Sequence, residues 1–136
     1  MKQSAIFILS LLVLSVIPTG VDAQSPENIF VEIEKALKAG DVDSFSIWFS
    51  DNIDIDILDA SNIYSKNQAK QILKKFFVKY SPKSFTFIHQ SGKGKMQYGI
   101  GLLVAGGESF RVTIFIQNLG KKYTIPQLRI EKTPIT

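Results

Sequence analysis

Residues Met96–Gln117 read MQYGIGLLVAGGESFRVTIFIQ, two runs of apolar residues at every second position on either side of Gly106-Gly107. A period of two is what a strand buried on one face requires, and a paired glycine between such runs supplies the positive φ angles of a tight hairpin. Met96, Tyr98, Ile100, Leu102 and Val104 make up the first set, and Phe110, Val112, Ile114 and Ile116 the second. The stretch therefore predicts two long antiparallel strands, with Tyr98 and its set turned toward whatever covers the sheet.

Outward from this hairpin the pattern continues on both sides. Phe85, Phe87 and His89 alternate up to a turn expected at Gly92-Lys93-Gly94, which adds a strand upstream. Downstream, a turn near Gly120 leads to a last strand in which Tyr123 and Ile125 have odd parity but Leu128 and Ile130 even parity. Such a change needs a bulge, and Pro126 marks its place because proline has no N–H to lose from a ladder.

Before these four strands lies the clearest helix in the chain. Ser65-Lys66-Asn67-Gln68 matches a capping box, and Ala69, Ile72, Leu73, Phe76, Phe77 and Tyr80 follow at helical spacing until Ser81-Pro82 stops the run. Lys66, Lys70, Lys74, Lys75 and Lys79 make its other face basic, which is expected to be a solvated surface. Upstream, Ile53, Ile55 and Ile57 alternate with Asp54 and Asp56 as a short strand, and Ile63-Tyr64 is its expected hairpin partner. The mature chain is expected to start with a helix capped at Ser25 and built on Ile29, Phe30, Ile33 and Leu37, turning at Gly40 into a shorter helix that presents Phe45, Trp48 and Phe49.

Residues 1–23 have the form of a secretory signal peptide: Lys2, an apolar run from Ala5 to Ile17, Pro18 and Gly20, then Val21-Asp22-Ala23 as the cleavage site. The run is shorter than the roughly 20 residues that span a bilayer, so cleavage before Gln24 is expected rather than a retained anchor. What remains, residues 24–136, is expected to be one domain, exported to the periplasm or the medium, with no stable membrane insertion.

The chain has 136 residues, a net charge of +4, 45% hydrophobic and 21% charged residues, and no cysteine. That apolar content excludes a disordered chain, and the small, mixed charge argues against a nucleic-acid binder. Without cysteine there is no disulfide, no thiol nucleophile and no Cys-ligated zinc. No phosphate loop, nucleophile elbow or dinucleotide fingerprint is present, and Gly99-Ile100-Gly101 is expected to mark strand twist. No cofactor is expected.

Two helices, a short hairpin, a long helix and a four-stranded meander define an α+β domain. This order resembles the nuclear transport factor 2-like (NTF2-like, cystatin-like) superfamily, in which a curved antiparallel sheet wraps around a long helix as a cone. A closer resemblance lies in Ala39-Gly40-Asp41, Tyr64-Ser65-Lys66-Asn67-Gln68-Ala69, Ile72 through Phe77, Phe85 through His89, Ile100-Gly101, Arg111-Val112 and Leu128-Arg129-Ile130-Glu131. These stretches are similar to an exported bacterial family, domain of unknown function 4783, although Gln90-Ser91 departs from that family's turn after the histidine. The resemblance implies a fold and a compartment, but no catalytic residues.

By parity, Phe85, Phe87, His89 and Tyr98, with Trp48, are expected to line a cone pocket that takes a small apolar or mixed ligand. A protein partner bound around the cone is the companion reading. The rival is a cofactor-free isomerase or dehydratase with His89 as base, although no acid is apparent to orient it. Asp51, Asp54, Asp56 and Asp59 lack the spacing of a calcium loop, so no metal site is expected. Arg111 has opposite parity to Phe110 and Val112 and is expected on the other sheet face with Thr113, Phe115 and Gln117 as a surface cation; turned instead toward a cavity, it could hold an anion.

Overall fold

The computed structural model describes residues 26–134, with side chains from Ile29 onward. The expected signal segment and the Ser25 cap lie outside the described residues. Element order is α1 (Pro26–Ala39), α2 (Val42–Ser46), β1 (Phe49–Ile57), β2 (Ala60–Ser65), α3 (Lys66–Lys79), β3 (Pro82–Lys93), β4 (Met96–Ala105), β5 (Glu108–Asn118) and β6 (Tyr123–Lys132). The strands form one sheet in the order β2-β1-β6-β5-β4-β3. β1 runs parallel to β6, and every other pair is antiparallel.

Helix termini follow the local chemistry. Gly40 sits at φ +69°, and the N–H of Asp41 bonds back to the Ala36 carbonyl at 2.8 Å, a left-handed cap that only glycine adopts without strain. A Cβ at Gly40 would lie 2.7 Å from Cγ of Pro82, so the α1–α2 corner rests directly on the start of β3. Asp41 caps α2 by accepting from the Ser44 N–H at 3.1 Å. α3 carries both halves of its capping box, between Ser65 and Gln68.

One expectation about α2 is corrected. The helix ends at Ser46, Trp48 stands in the following turn, and Phe49 opens β1. Phe45 and Phe49 still meet edge to face at 5.1 Å, so the aromatic spacing reflects packing across a helix-to-strand turn rather than one helix face.

The core lies between the helices and one face of the sheet. Ile53 and Ile55 of β1, Phe110, Val112, Ile114 and Ile116 of β5, and Ile125, Leu128 and Ile130 of β6 are all buried there. α3 supplies Ala69, Leu73, Phe76 and Phe77, and the Phe76 ring reaches Phe110 at 5.2 Å. α1 covers the β3–β4 end, where Phe30 meets Phe87 at 5.1 Å. The register shift expected at Pro126 is present: Phe115 pairs with Gln127 but Gln117 with Thr124, which places the extra residue of the bulge at Ile125-Pro126.

Two further readings of the strands are corrected. β3 runs on through Lys93, so the turn falls at Gly94-Lys95 and not at Gly92-Lys93-Gly94. In β4 the residues turned toward the helices are Gln97, Gly99, Gly101, Leu103 and Ala105, not the set containing Tyr98. The cause is steric. A Cβ on Gly99 would lie 2.7 Å from both Phe30 and Phe87, and one on Gly101 would meet the Phe85 ring. These glycines are seats for phenylalanine rings carried by the neighbouring elements, so at positions 99 and 101 the inner face of β4 has no room for a side chain.

Candidate functional site

The five residues expected to share a pocket are dispersed. Phe85 is fully buried and Phe87 partly so, their rings packed edge to face at 5.0 Å over Gly101 and Gly99. Together with Phe30 they fill the space between α1 and the β3–β4 end of the sheet. They are core rather than lining.

His89 does not follow them. Phe87 pairs with Gly101 and His89 with Ile100, so Ile88 is an extra residue that breaks the alternation. Side chains beyond a bulge change face, and His89 is exposed on the side away from the helices, next to Tyr98. Their rings stand 5.7 Å apart, and the Tyr98 hydroxyl is 3.5 Å from Nε2 of His89, at the limit of a hydrogen bond. Phe115 continues the group at 6.0 Å from Tyr98. This is a half-exposed aromatic cluster on the outer face, and no carboxylate among the described residues is hydrogen-bonded to the imidazole.

Concavities open elsewhere. One, of about 580 Å³, lies where the ends of β1, β5 and β6 meet, bordered by Leu58, Asp59, Tyr80, Arg111, Glu131 and Lys132. Arg111 is on the outer face as its parity predicts, and it does border a cavity. Leu58 and Asp59 turn the chain there with φ of 52° and 72°, values uncommon for residues other than glycine. Both cations and carboxylates line this recess, so it can pair with charges of either sign.

A second recess of about 400 Å³ lies at the other end of β1 and contains Trp48. Here β1 leaves β6: Phe49 pairs with Ile125, and pairing resumes only at Asp54 with Gln127. Pro126 falls in the gap and offers no N–H to hold the strands together. Trp48 is anchored by its carbonyl, which accepts from the Ile125 N–H at 2.6 Å. Thr124, Gln117, Lys66 and Lys122 share the lining. Periodicity could not single out these residues, because the recess is made by a bulge and a broken ladder.

The charged groups divide into tied and free. Lys70 and Lys74 of α3 both reach Asp43 of α2, at 2.7 and 3.2 Å, so part of the basic face braces the helices instead of being merely solvated. Lys70 beside it, with Lys74, holds the Asp43 carboxyl below the usual aspartate range, and the Ser44 hydrogen bonds do the same for Asp41. Asp56 pairs with Arg129 at 3.4 Å. Among the described residues no group of three or more His, Asp or Glu side chains is placed to hold a metal ion.

Helices on one face of a curved six-stranded sheet define the NTF2-like cone. The chain belongs to the family described as domain of unknown function DUF4783, which it matches over residues 30–131. A crystal structure of a DUF4783 protein from Bacteroides uniformis has 29% sequence identity and a TM-score of 0.75, covering 79% of this chain and 100% of that one. One from Bacteroides ovatus has 26% identity and a TM-score of 0.73, covering 76% and 94%. An NTF2-like protein of unknown function from Cytophaga hutchinsonii, at 11% identity, a TM-score of 0.59 and coverage of 82% and 92%, shares the fold. No curated protein matches the chain.

Proposed function

We propose that this is an exported, non-catalytic NTF2-like domain that binds a small ligand or a protein partner at its surface recesses. The observation that carries the reading is the filling of the cone by Phe30, Phe85 and Phe87 over Gly99 and Gly101, with recesses open instead at the surface, two of them at the ends of β1. The rival enzyme reading needs His89 inside a pocket with an orienting group. The bulge at Ile88 instead leaves that ring exposed, with the Tyr98 hydroxyl as its neighbour. Export is supported by the sequence of residues 1–23 alone. No helix among the described residues is long and apolar enough to cross a membrane.

Thermal denaturation of the mature chain against a mixed panel of small acids, sugars, amino acids and lipids tests the binding reading. A ligand selective for the native state raises the melting temperature by mass action, by the equivalent of about 2.7 kcal/mol at a hundredfold excess over Kd. A turnover that disappears in a folded His89→Ala variant would replace this reading with the enzymatic one. Intact-mass analysis of the cell-free fraction should show a chain starting at Gln24, and recovery only of a membrane-bound chain retaining Met1 would overturn export.

A further inference from the structure

We infer that the recess beside Trp48 is a binding site for a small carboxylate with a flat apolar body, with the Thr124 hydroxyl as its polar anchor. The inference rests on the binding reading above and adds its place and ligand class.

Thr124 lines the recess, yet its Oγ1 is buried without any hydrogen-bond partner, the one such side-chain atom among the described residues. An unsatisfied buried hydroxyl costs about 1–3 kcal/mol, and valine would fill the same volume without that cost. A threonine whose only fault in the free protein is its hydroxyl is accounted for if a bound group uses the hydroxyl.

The rest of the lining specifies the ligand. Lys66, the first residue of α3, is held at the recess by donating from Nζ to the Ile47 carbonyl at 3.2 Å, which leaves further donors unspent. Lys122 makes no ion pair among the described residues, and Asp51 is the single acid in the lining. Two ammonium groups against one carboxylate favour an anion, and a carboxylate can accept from a lysine and a hydroxyl together. The apolar wall is formed by Trp48 with Ile47 and Leu119, the latter two 64% and 50% exposed. An indole face favours a flat ring or chain, and about 400 Å³ accommodates a one-ring acid.

Trp48 is the chain's only tryptophan, so its fluorescence reports on this recess without a label. The mature protein is titrated with phenylpropionate and with phenylpropionamide, which has nearly the same shape but no charge. Phenylpropionate should change Trp48 emission saturably and raise the melting temperature, and the amide should bind about tenfold more weakly. Thr124→Val should weaken phenylpropionate about tenfold while the melting temperature of the free protein stays level or rises. Lys122→Gln, a surface change that leaves the core intact, should weaken it as well. Equal binding of acid and amide, or unchanged affinity in Thr124→Val, would overturn the inference. Acids that raise the melting temperature without altering Trp48 emission would also overturn it while leaving the binding reading in place. Silence across the whole ligand panel would instead remove the binding reading itself.

Discussion

The outer end of the Phe85 ring lies over Gly101, so that a methyl group on Gly101 would press on Cζ and stand 2.5 Å from Cε2. Gly101→Ala should therefore force a core ring from its place, at a cost of about 1–3 kcal/mol. Phe85→Ala should cost about 3–5 kcal/mol by leaving a cavity. Because one change fills what the other empties, the double variant should be more stable than the sum of the two losses implies. Denaturant midpoints of the four proteins check it, and strict additivity would mean that the ring and the glycine do not share this space.

That pair also explains where the sequence misleads. The capping box at Ser65, the buried face of α3, the Gly106-Gly107 hairpin and the bulge at Pro126 were legible because each rests on local chemistry or on a parity change written in the residues themselves. The orientation of β4 was not. Its large residues alternate as a core face would, and only the rings brought by α1 and β3 turn the glycine face inward. His89 was misplaced for a related reason: the extra residue at Ile88 leaves no mark in the run from Phe85 to His89. The Trp48 recess depends on two strands parting, a relation between β1 and β6 that neither strand's sequence displays.

α3 offers a direct test of its faces. Phe77 is 8% exposed and belongs to the core, whereas Lys75 lies on the wet side. Phe77→Ala should lower stability by about 3–5 kcal/mol, and Lys75→Ala should stay within about 0.5. Comparable shifts in denaturant midpoint for the two variants would contradict the burial described here.

The link between α2 and α3 should respond to acid in a defined direction. Asp43 accepts from Lys70 and Lys74, and these contacts hold its carboxyl below its ordinary range. A group whose folded pKa is depressed contributes stability that is present above its unfolded pKa and lost as the pH falls through the folded one. The brace is thus fully formed at neutral pH and loosens only in acid below the usual aspartate range. Carboxyl chemical shifts across an acid titration should show Asp43 titrating below the ordinary aspartate range, and Lys70→Met should move its midpoint upward. An unmoved midpoint would mean that Lys70 is not the main influence.

The β1–β2 turn sets strain against use. Leu58 and Asp59 hold φ of 52° and 72° in a two-residue hairpin, where asparagine and glycine are the residues that fit without cost. Leu58 packs against the core, and the half-buried side chain offsets its backbone penalty of about 1–2 kcal/mol. Asp59 is exposed and has no such compensation, yet it borders the recess of Arg111 and Lys132. Asp59→Gly should therefore leave the melting temperature level or raise it, since relief of the left-handed strain opposes the added freedom of the unfolded chain. Leu58→Gly should lower it, because the packing is lost along with the strain. Should Asp59→Gly prove clearly destabilising, the carboxylate would have to be a structural partner of the neighbouring cations; a level or higher melting temperature leaves it free to meet a charged group that enters the recess.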